Sequence, residues 1–173
     1  MLVVTAGLPG TGKSTIAEAV GHRIGAPVVS VDPIESAILS AGIDSDQPTG
    51  LAAYLVAETI AEAVLSGGGS VIIDAVNAVG PAREQWVKLA ARQQTPIKFL
   101  EVICSDEELH RTRLGKRDRR LAHRAEPSWH AVEQSLDEWE AWAGASGAVA
   151  RITLDSVRPL EVNVEHALAF LES

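Results

Sequence analysis

Cysteine is almost absent: Cys104 is the only one in 173 residues, so no disulfide can form within the chain and a small stapled secreted fold is excluded. It sits in the run Phe99-Leu100-Glu101-Val102-Ile103-Cys104 and reads as a buried small hydrophobe. A basic leader and a small-residue cleavage site are also missing, and the first apolar stretch stops at Gly7, so the N-terminus reads as a strand and not as a signal peptide. No apolar run approaches the roughly 18 to 20 residues that span a bilayer, so a cytoplasmic setting without a membrane partner is expected. Positive charge is short, with 15 Lys plus Arg against 23 Asp plus Glu and a net charge of −8. That balance repels polyanions over most of the surface and makes nucleic acid an unfavourable partner. Internal repeats, low-complexity tracts and a guanine-selecting Asn-Lys-x-Asp stretch are lacking. One compact domain over 1–173, monomeric or homodimeric, is expected, and the choice between adenine and guanine stays open.

What the chain does have is an alternation of apolar runs with helical patterns. Hydrophobic residues at 46% and charged residues at 22% are ordinary for a globular enzyme. Residues 2 to 6 are apolar and β-branched, glycines follow, and Ser14 to Ile24 carries Ile16, Ala17, Val20 and Ile24 at helical spacing. Further strands are expected at Pro27 to Val31, Val71 to Asp74, Ile97 to Cys104 and Ala150 to Leu154. Near-continuous apolar strands separated by helices predict a parallel sheet covered on both faces, hence a doubly wound α/β fold. Helices are predicted at about Pro33 to Leu39 and Leu51 to Leu65, joined by the turn-rich Asp44 to Gly50 and stopped by Gly67-Gly68-Gly69. Another opens at Gly80-Pro81. Ser105-Asp106-Glu107-Glu108 fits a capping box for a helix through Leu114.

Gly7-Leu8-Pro9-Gly10-Thr11-Gly12-Lys13-Ser14 satisfies G-x-x-x-x-G-K-[ST] between a predicted strand and a predicted helix, the context the pattern requires. Glycines let backbone N–H groups and the positive end of the helix dipole face phosphate oxygens. Thr11 and Thr15 belong to the same cradle, Lys13 reaches the β and γ phosphates, and the Ser14 hydroxyl ligates Mg²⁺. ATP or a related triphosphate with Mg²⁺ is the expected ligand.

Ligands of such sheets lie at the carboxyl ends of the strands. Asp32 follows the second strand and Asp74 ends the third, so both carboxylates are expected near the loop. One suits Mg²⁺ and the other a proton from an attacking hydroxyl. Asp32 before Pro33 equally fits a helix N-cap. From Arg111 to Arg124 the chain turns basic, through Arg111, Arg113, Lys116, Arg117, Arg119, Arg120 and Arg124. That run is either a solvated helix face or an anion clamp. Trp129, Trp139 and Trp142 follow on a predicted helix opened by Pro127-Ser128 and are expected to pack it on the body. Tyr54, Glu58, Asn77, Arg83 and Trp86 carry less weight, some as acceptor-pocket candidates. His110, His123 and His130 lack the spacing of a zinc site.

With these residues in hand, the chain resembles the small P-loop kinases of the zeta-toxin, chloramphenicol phosphotransferase and polynucleotide-kinase-like group, an ATP-binding group of AAA type. It has a broader likeness to gluconate and shikimate kinases. The resemblance implies a three-layer P-loop NTPase fold with a five-stranded parallel sheet in order 2-3-1-4-5 and a basic helical lid at about 115–127. It implies Asp32 as acceptor-binding base and Asp74 as the metal-side carboxylate. Leu109 to Arg117 looks like the lid entrance, with Arg113 by the adenine and Arg117 at the phosphates. Arg158 and Pro159, in Leu154 to Leu160, match the segment bordering the adenine ring. Many relatives carry Arg three residues after the Asp that follows strand two, whereas this chain has Glu35. An acidic group there suits a neutral or cationic acceptor and repels an anionic one.

Three functions follow. The first is a kinase moving the γ-phosphoryl group of ATP to a small hydroxylated molecule, with Lys13, Arg113 and Arg117 neutralising charge and Asp32 as base. The second is a polynucleotide 5′-hydroxyl or toxin-like kinase, for which a long basic groove is lacking. The third is a nucleotide-dependent ATPase switch that binds a protein partner.

Overall fold

The computed structural model describes residues 1–115 and 139–173. Its centre is β1 (Leu2–Ala6), every residue of which is buried, as its continuous β-branched sequence requires for a strand covered on both faces. β3 (Val71–Asp74) pairs with it in parallel on one side and β4 (Ile97–Ile103) on the other. β2 (Val28–Ser30) and β5 (Arg151–Asp155) complete a five-stranded parallel sheet of order β2-β3-β1-β4-β5. The predicted order 2-3-1-4-5 is therefore the observed one.

Helices cover both faces and divide the core. On one side Leu2, Val4, Ile73 and Phe99 meet Ala53, Ala57 and Ala61 of α3 (Thr49–Ser66) and Trp86 and Leu89 of α4 (Gly80–Arg92). On the other, Val3, Ile72, Leu100 and Val102 meet Ile16, Ala17 and Val20 of α1 (Lys13–Ile24). The last helix, Leu160–Glu172, adds Val164, Ala167 and Leu171 to that second layer. Alternate residues of each central strand serve opposite layers, which is the period-two rule of a pleated strand.

Several local expectations shift. The second strand ends at Ser30, and Val31 already opens α2 (Val31–Ser40). Pro33 is tolerated because the first-turn N–H groups have no partner inside a helix. Asp32 thus sits in the first turn of α2 and is neither a strand end nor the cap, the cap position being Ser30. In α5 (Glu107–Gly115) the predicted capping box is replaced by a single cap: Asp106 Oδ1 accepts the Leu109 amide at 2.8 Å. Ser105 cannot cap, since its hydroxyl donates to Asp155 Oδ2 (2.5 Å). Cys104 lies past the end of β4 and is partly exposed, not a core residue. Trp139 and Trp142 lie in irregular chain just before a short turn of helix, α6 (Gly144–Gly147), so the predicted helix does not extend through them. Trp142 still packs on the body, edge-on to Phe99 with ring centroids 5.0 Å apart. Trp129 lies outside the described residues. The final helix is α7 (Leu160–Glu172).

α3 also corrects the expectation that no apolar run is long enough to span a bilayer. Its 18 residues have a mean hydropathy of 1.2, sufficient by length and composition alone. In the fold it serves as a core helix: Ala53, Ala57, Ala61 and Leu65 are buried, and Glu58 accepts from Arg92 (2.6 Å) and Gln85 (2.6 Å) of α4. Its outward stripe remains apolar, with Leu51, Leu55, Val56 and Ile60 exposed by 41 to 60%.

α1 lies close against the sheet at Gly21, where an added Cβ would stand 2.8 Å from the Ala26 carbonyl oxygen and 2.9 Å from a Val28 methyl. Alanine normally favours a helix over glycine by about 1 kcal/mol, whereas overpacking costs about 1 to 3 kcal/mol. Gly21→Ala is therefore expected to lower Tm in thermal denaturation; a raised Tm would show that helix propensity wins at this contact.

Candidate active site

The loop between β1 and α1 curls because of contacts that side chains would forbid. An added Cβ on Gly7 would fall 2.3 Å from the Val102 carbonyl oxygen of β4, backbone against backbone. Gly12, at the N-cap of α1, has φ 91°, the left-handed region that glycine occupies without strain. Within the loop the Leu8 carbonyl accepts from the Thr11 hydroxyl (2.9 Å), the Thr11 amide (3.3 Å) and, at 3.5 Å, the Lys13 ammonium. The first turn of α1 carries no acidic residue, so the positive end of its dipole is left for an anion. His110 of α5 braces the loop from outside, its buried Nε2 lying 2.7 Å from the Pro9 carbonyl. A carbonyl only accepts, so Nε2 carries the proton in this contact.

Beside the loop is a cavity of about 420 Å³ lined by Gly10, Gly12, Lys13, Ser14 and Thr15. Arg113, Ser156, Arg158, Leu160 and Asn163 line it too, with Ser156 next to Gly12. Arg113 donates to the Ser156 hydroxyl (2.7 Å) and to the Ser156 carbonyl (3.0 Å), which ties α5 to the turn after β5. A second tie runs through Asp155, which accepts from the Ser105 hydroxyl and amide and from the Val157 amide. Burial pushes the Asp155 carboxyl up, but these hydrogen bonds and the nearby Arg158 guanidinium outweigh it and hold it below the usual carboxylate range. Arg113 and Arg158 both line the cavity on the P-loop. Pro159 is the N-cap residue of α7, and Leu160 stands in the wall in its place. Arg117 and the lid at 115–127, apart from Gly115, lie outside the described residues.

The carboxylates lie across the strand ends. Asp74 is buried and accepts from the Ser30 hydroxyl (3.0 Å) and the Thr5 hydroxyl (3.4 Å). Asp32 and Glu35, three residues apart on α2, share a helix face. Glu35 accepts from the Thr49 hydroxyl at 3.0 Å, which joins α2 to the start of α3.

Two acceptor-pocket candidates prove to be interior braces. Asn77 is fully buried, donating to the Thr5 carbonyl (2.7 Å) and accepting from the Trp86 indole (2.9 Å). Arg83 is also fully buried, donating to the carbonyls of Asn77 (2.8 Å), Ala78 (2.6 Å), Glu140 (2.9 Å) and Ala141 (3.4 Å). Its guanidinium lies 4.1 Å from the Trp142 ring centroid and 5.0 Å from that of Trp139. Burial pushes its pKa below the ordinary arginine value, partly offset by Glu101 and Glu140. Tyr54 is half-buried, its hydroxyl accepting the Asn77 amide at 3.2 Å. None of these three lines the cavity on the P-loop. A second cavity of about 450 Å³, between the loop and the end of β4, is lined by Gly7, Leu8, Glu101, Cys104, His110 and Trp139 among others.

Sequence reasoning missed Ser156, Asn163 and His110. Ser156 and His110 stood in segments already singled out, Ser156 directly after a strand end and His110 in the stretch Leu109 to Arg117; Asn163 carried no signal.

A glycine cradle after the central strand of a parallel 2-3-1-4-5 sheet, with helices on both faces, defines the P-loop NTPase fold. The chain belongs to the AAA domain family, whose model matches residues 2–142. Its fold is similar to that of a sugar kinase from a Janibacter species, at 22% identity and a TM-score of 0.72, over 99% of this chain and 94% of that one. It is likewise similar to Chaetomium thermophilum Kti12 in complex with ADP-AlF3, at 18% identity and a TM-score of 0.75, over 99% and 97%. A gluconokinase from Sinorhizobium meliloti gives 20% identity and a TM-score of 0.65, over 98% and 90%. At these identities the likeness establishes the fold. Among curated proteins, an uncharacterized protein of Mycobacterium tuberculosis is 33% identical over 115 residues, which cover 60% of this chain and 23% of that protein's length.

Two outcomes follow from the braces. Arg83→Met strands several buried carbonyls and is expected to cost about 3 kcal/mol or more in denaturant unfolding; a loss under about 1 kcal/mol would mean that the carbonyls find other donors. Asp155 has a depressed pKa in the fold, so its contribution is full above the ordinary carboxylate value of about 4 and is lost as pH falls through the lower folded value. Asp155→Asn is expected to flatten the stability profile in that acid window, read by chemical denaturation at several pH values.

Proposed function

We propose that the protein is an ATP-dependent phosphotransferase that moves the γ-phosphoryl group to a hydroxyl of a small molecule in the cytoplasm. The observation that carries this reading is a cavity lined both by Lys13 and Ser14 at the helix N-terminus and by Arg113 and Arg158. That lining, three cations beside a helix N-terminus, suits a triphosphate. The sugar kinase and gluconokinase likenesses support a small acceptor.

Mg²⁺ fits the residues present. The hydroxyls of Ser30 and Thr5 aim at Asp74, and a carboxylate has about four acceptor positions, which leaves room for a water-bridged cation. Ser14 and Asp74 would hold the ion, which supplies charge neutralisation between the β and γ phosphates. The acceptor hydroxyl oxygen forms a bond to the γ phosphorus, its proton passes to the Asp32 carboxylate, and the bond from the γ phosphorus to the β–γ bridging oxygen breaks to release ADP. Lys13 and Arg113 offset the negative charge. Asp32 and Glu35 on one face of α2 make the acceptor side acidic, which favours neutral or cationic alcohols such as hydroxylated amines.

Lys13→Ala is expected to abolish measurable triphosphate binding. Asp32→Asn is expected to lower kcat about 10²- to 10⁴-fold while leaving ATP binding within a few-fold. A screen of hydroxyl compounds by ADP release tests the acceptor class. Faster turnover of sugar acids or oligonucleotide ends than of neutral and amino alcohols would overturn the assignment of an acidic acceptor side. ATP turnover confined to background with every alcohol would favour a nucleotide switch instead.

A further inference from the structure

The P-loop contains a turn whose middle peptide has two ways to face. Thr11 donates its amide to the Leu8 carbonyl (3.3 Å), which closes a turn with Pro9 second and Gly10 third. Gly10 has φ +83°, as the third residue of a type II turn does, whereas a type I turn needs about −90° there. Both types accept proline in second place and keep the closing hydrogen bond, and glycine in third place takes either sign of φ. They differ in the peptide between Pro9 and Gly10, which rotates by roughly 150 to 170° from one type to the other. A trans peptide is planar, with its C=O and N–H pointing opposite ways. That rotation therefore exchanges the sides of the loop on which the Pro9 oxygen and the Gly10 amide hydrogen lie.

One side chain chooses between the two. His110 is 5% exposed, and its Nε2 donates to the Pro9 carbonyl at 2.7 Å. An added Cβ on Gly10 would stand 3.1 Å from the His110 Cδ2, so the ring lies flush against bare backbone. With the Pro9 oxygen held toward His110, the Gly10 N–H points away from it. His110 lines the cavity beside β4, whereas Gly10 lines the cavity on the P-loop with Gly12, Lys13 and Ser14. Among the described residues the Gly10 amide donates to no protein group. In the type I form the Pro9 oxygen would take its place and turn a negative dipole end toward an anion. Resting on the reading of that cavity as the triphosphate site, we propose that His110 is a positioning residue. Its hydrogen bond holds the turn in the type II form, in which the Gly10 amide is a donor to the phosphates. The same helix, α5, also carries Arg113, so it sets one amide of the cradle and one cation of the cavity.

Equilibrium titration of the full chain with ATP in Mg²⁺, compared across wild type, His110→Gln and His110→Leu, tests this. Glutamine brings an amide N–H close to where Nε2 stands, and leucine fills the space without a donor. His110→Leu is expected to bind ATP about 3- to 10-fold more weakly, the worth of one hydrogen bond, and His110→Gln within about 2-fold of wild type. A His110→Leu protein that binds as wild type does overturns the inference and leaves the phosphate site intact. So does a His110→Gln protein as weak as His110→Leu, since packing of the ring would then be all that matters. Nitrogen NMR of the wild-type imidazole needs no variant: the inference requires the proton on Nε2. An Nδ1–H form with bare Nε2 overturns it even where a variant fails to fold. Failure of the underlying reading looks different, and takes the inference with it: wild type would bind no ATP, or Lys13→Ala would bind it as wild type does.

Discussion

The contact between the bare backbone of Gly7 and the Val102 carbonyl of β4 is the constraint on which the site depends. A side chain at that point would collide with main chain that cannot yield, because β4 is paired on both sides within the sheet. Keeping Gly7 bare lets the loop turn tightly at the carboxyl end of β1 and deliver the N-terminus of α1 to the same edge as the ends of β2 and β3. Lys13, Ser14, Asp32 and Asp74 come from three separate strand–helix junctions at that one edge of the sheet.

The rim of the cavity is held by cross-links between the segments that follow β4 and β5. Arg113 and Ser156 join α5 to the turn after β5, and Asp155 and Ser105 repeat the connection a few residues away. His110 ties the same helix back to the loop at Pro9. A helix fastened both to the loop and to the turn after β5 holds the two in fixed relation, which is what a preorganised site requires.

Much of this was legible in the residues. β1 and β3 carry their burial in their composition, and the glycine and lysine pattern announces its loop by spacing alone. Other features were illegible for physical reasons. The start of α2 at Val31 depends on the tolerance of a first turn for Pro33, and a local reading takes proline as the boundary. The choice of Asp106 over Ser105 as cap depends on Asp155, fifty residues away, occupying the serine hydroxyl. Asn77 and Arg83 look like pocket residues because polar side chains after a strand end commonly are. Arg83 is held inside by carbonyls at Glu140 and Ala141, 57 and 58 residues further along, and Asn77 by the Thr5 carbonyl, 72 residues back, which no local pattern encodes. α3 defied a hydropathy reading because two glutamates interrupt its run without lowering its average below that of a spanning helix.

Arg83 has a consequence for how the molecule breathes. One guanidinium gathers carbonyls from the segment after β3 and from the segment before α6, so neither can fray while the other stays in place. The two stretches form a single cooperative unit of local opening, sharing one protection against solvent exchange despite their separation in the chain. The chain at Glu140 and Ala141 is thereby anchored to the segment that follows the strand end bearing Asp74, so loosening of one reaches the other.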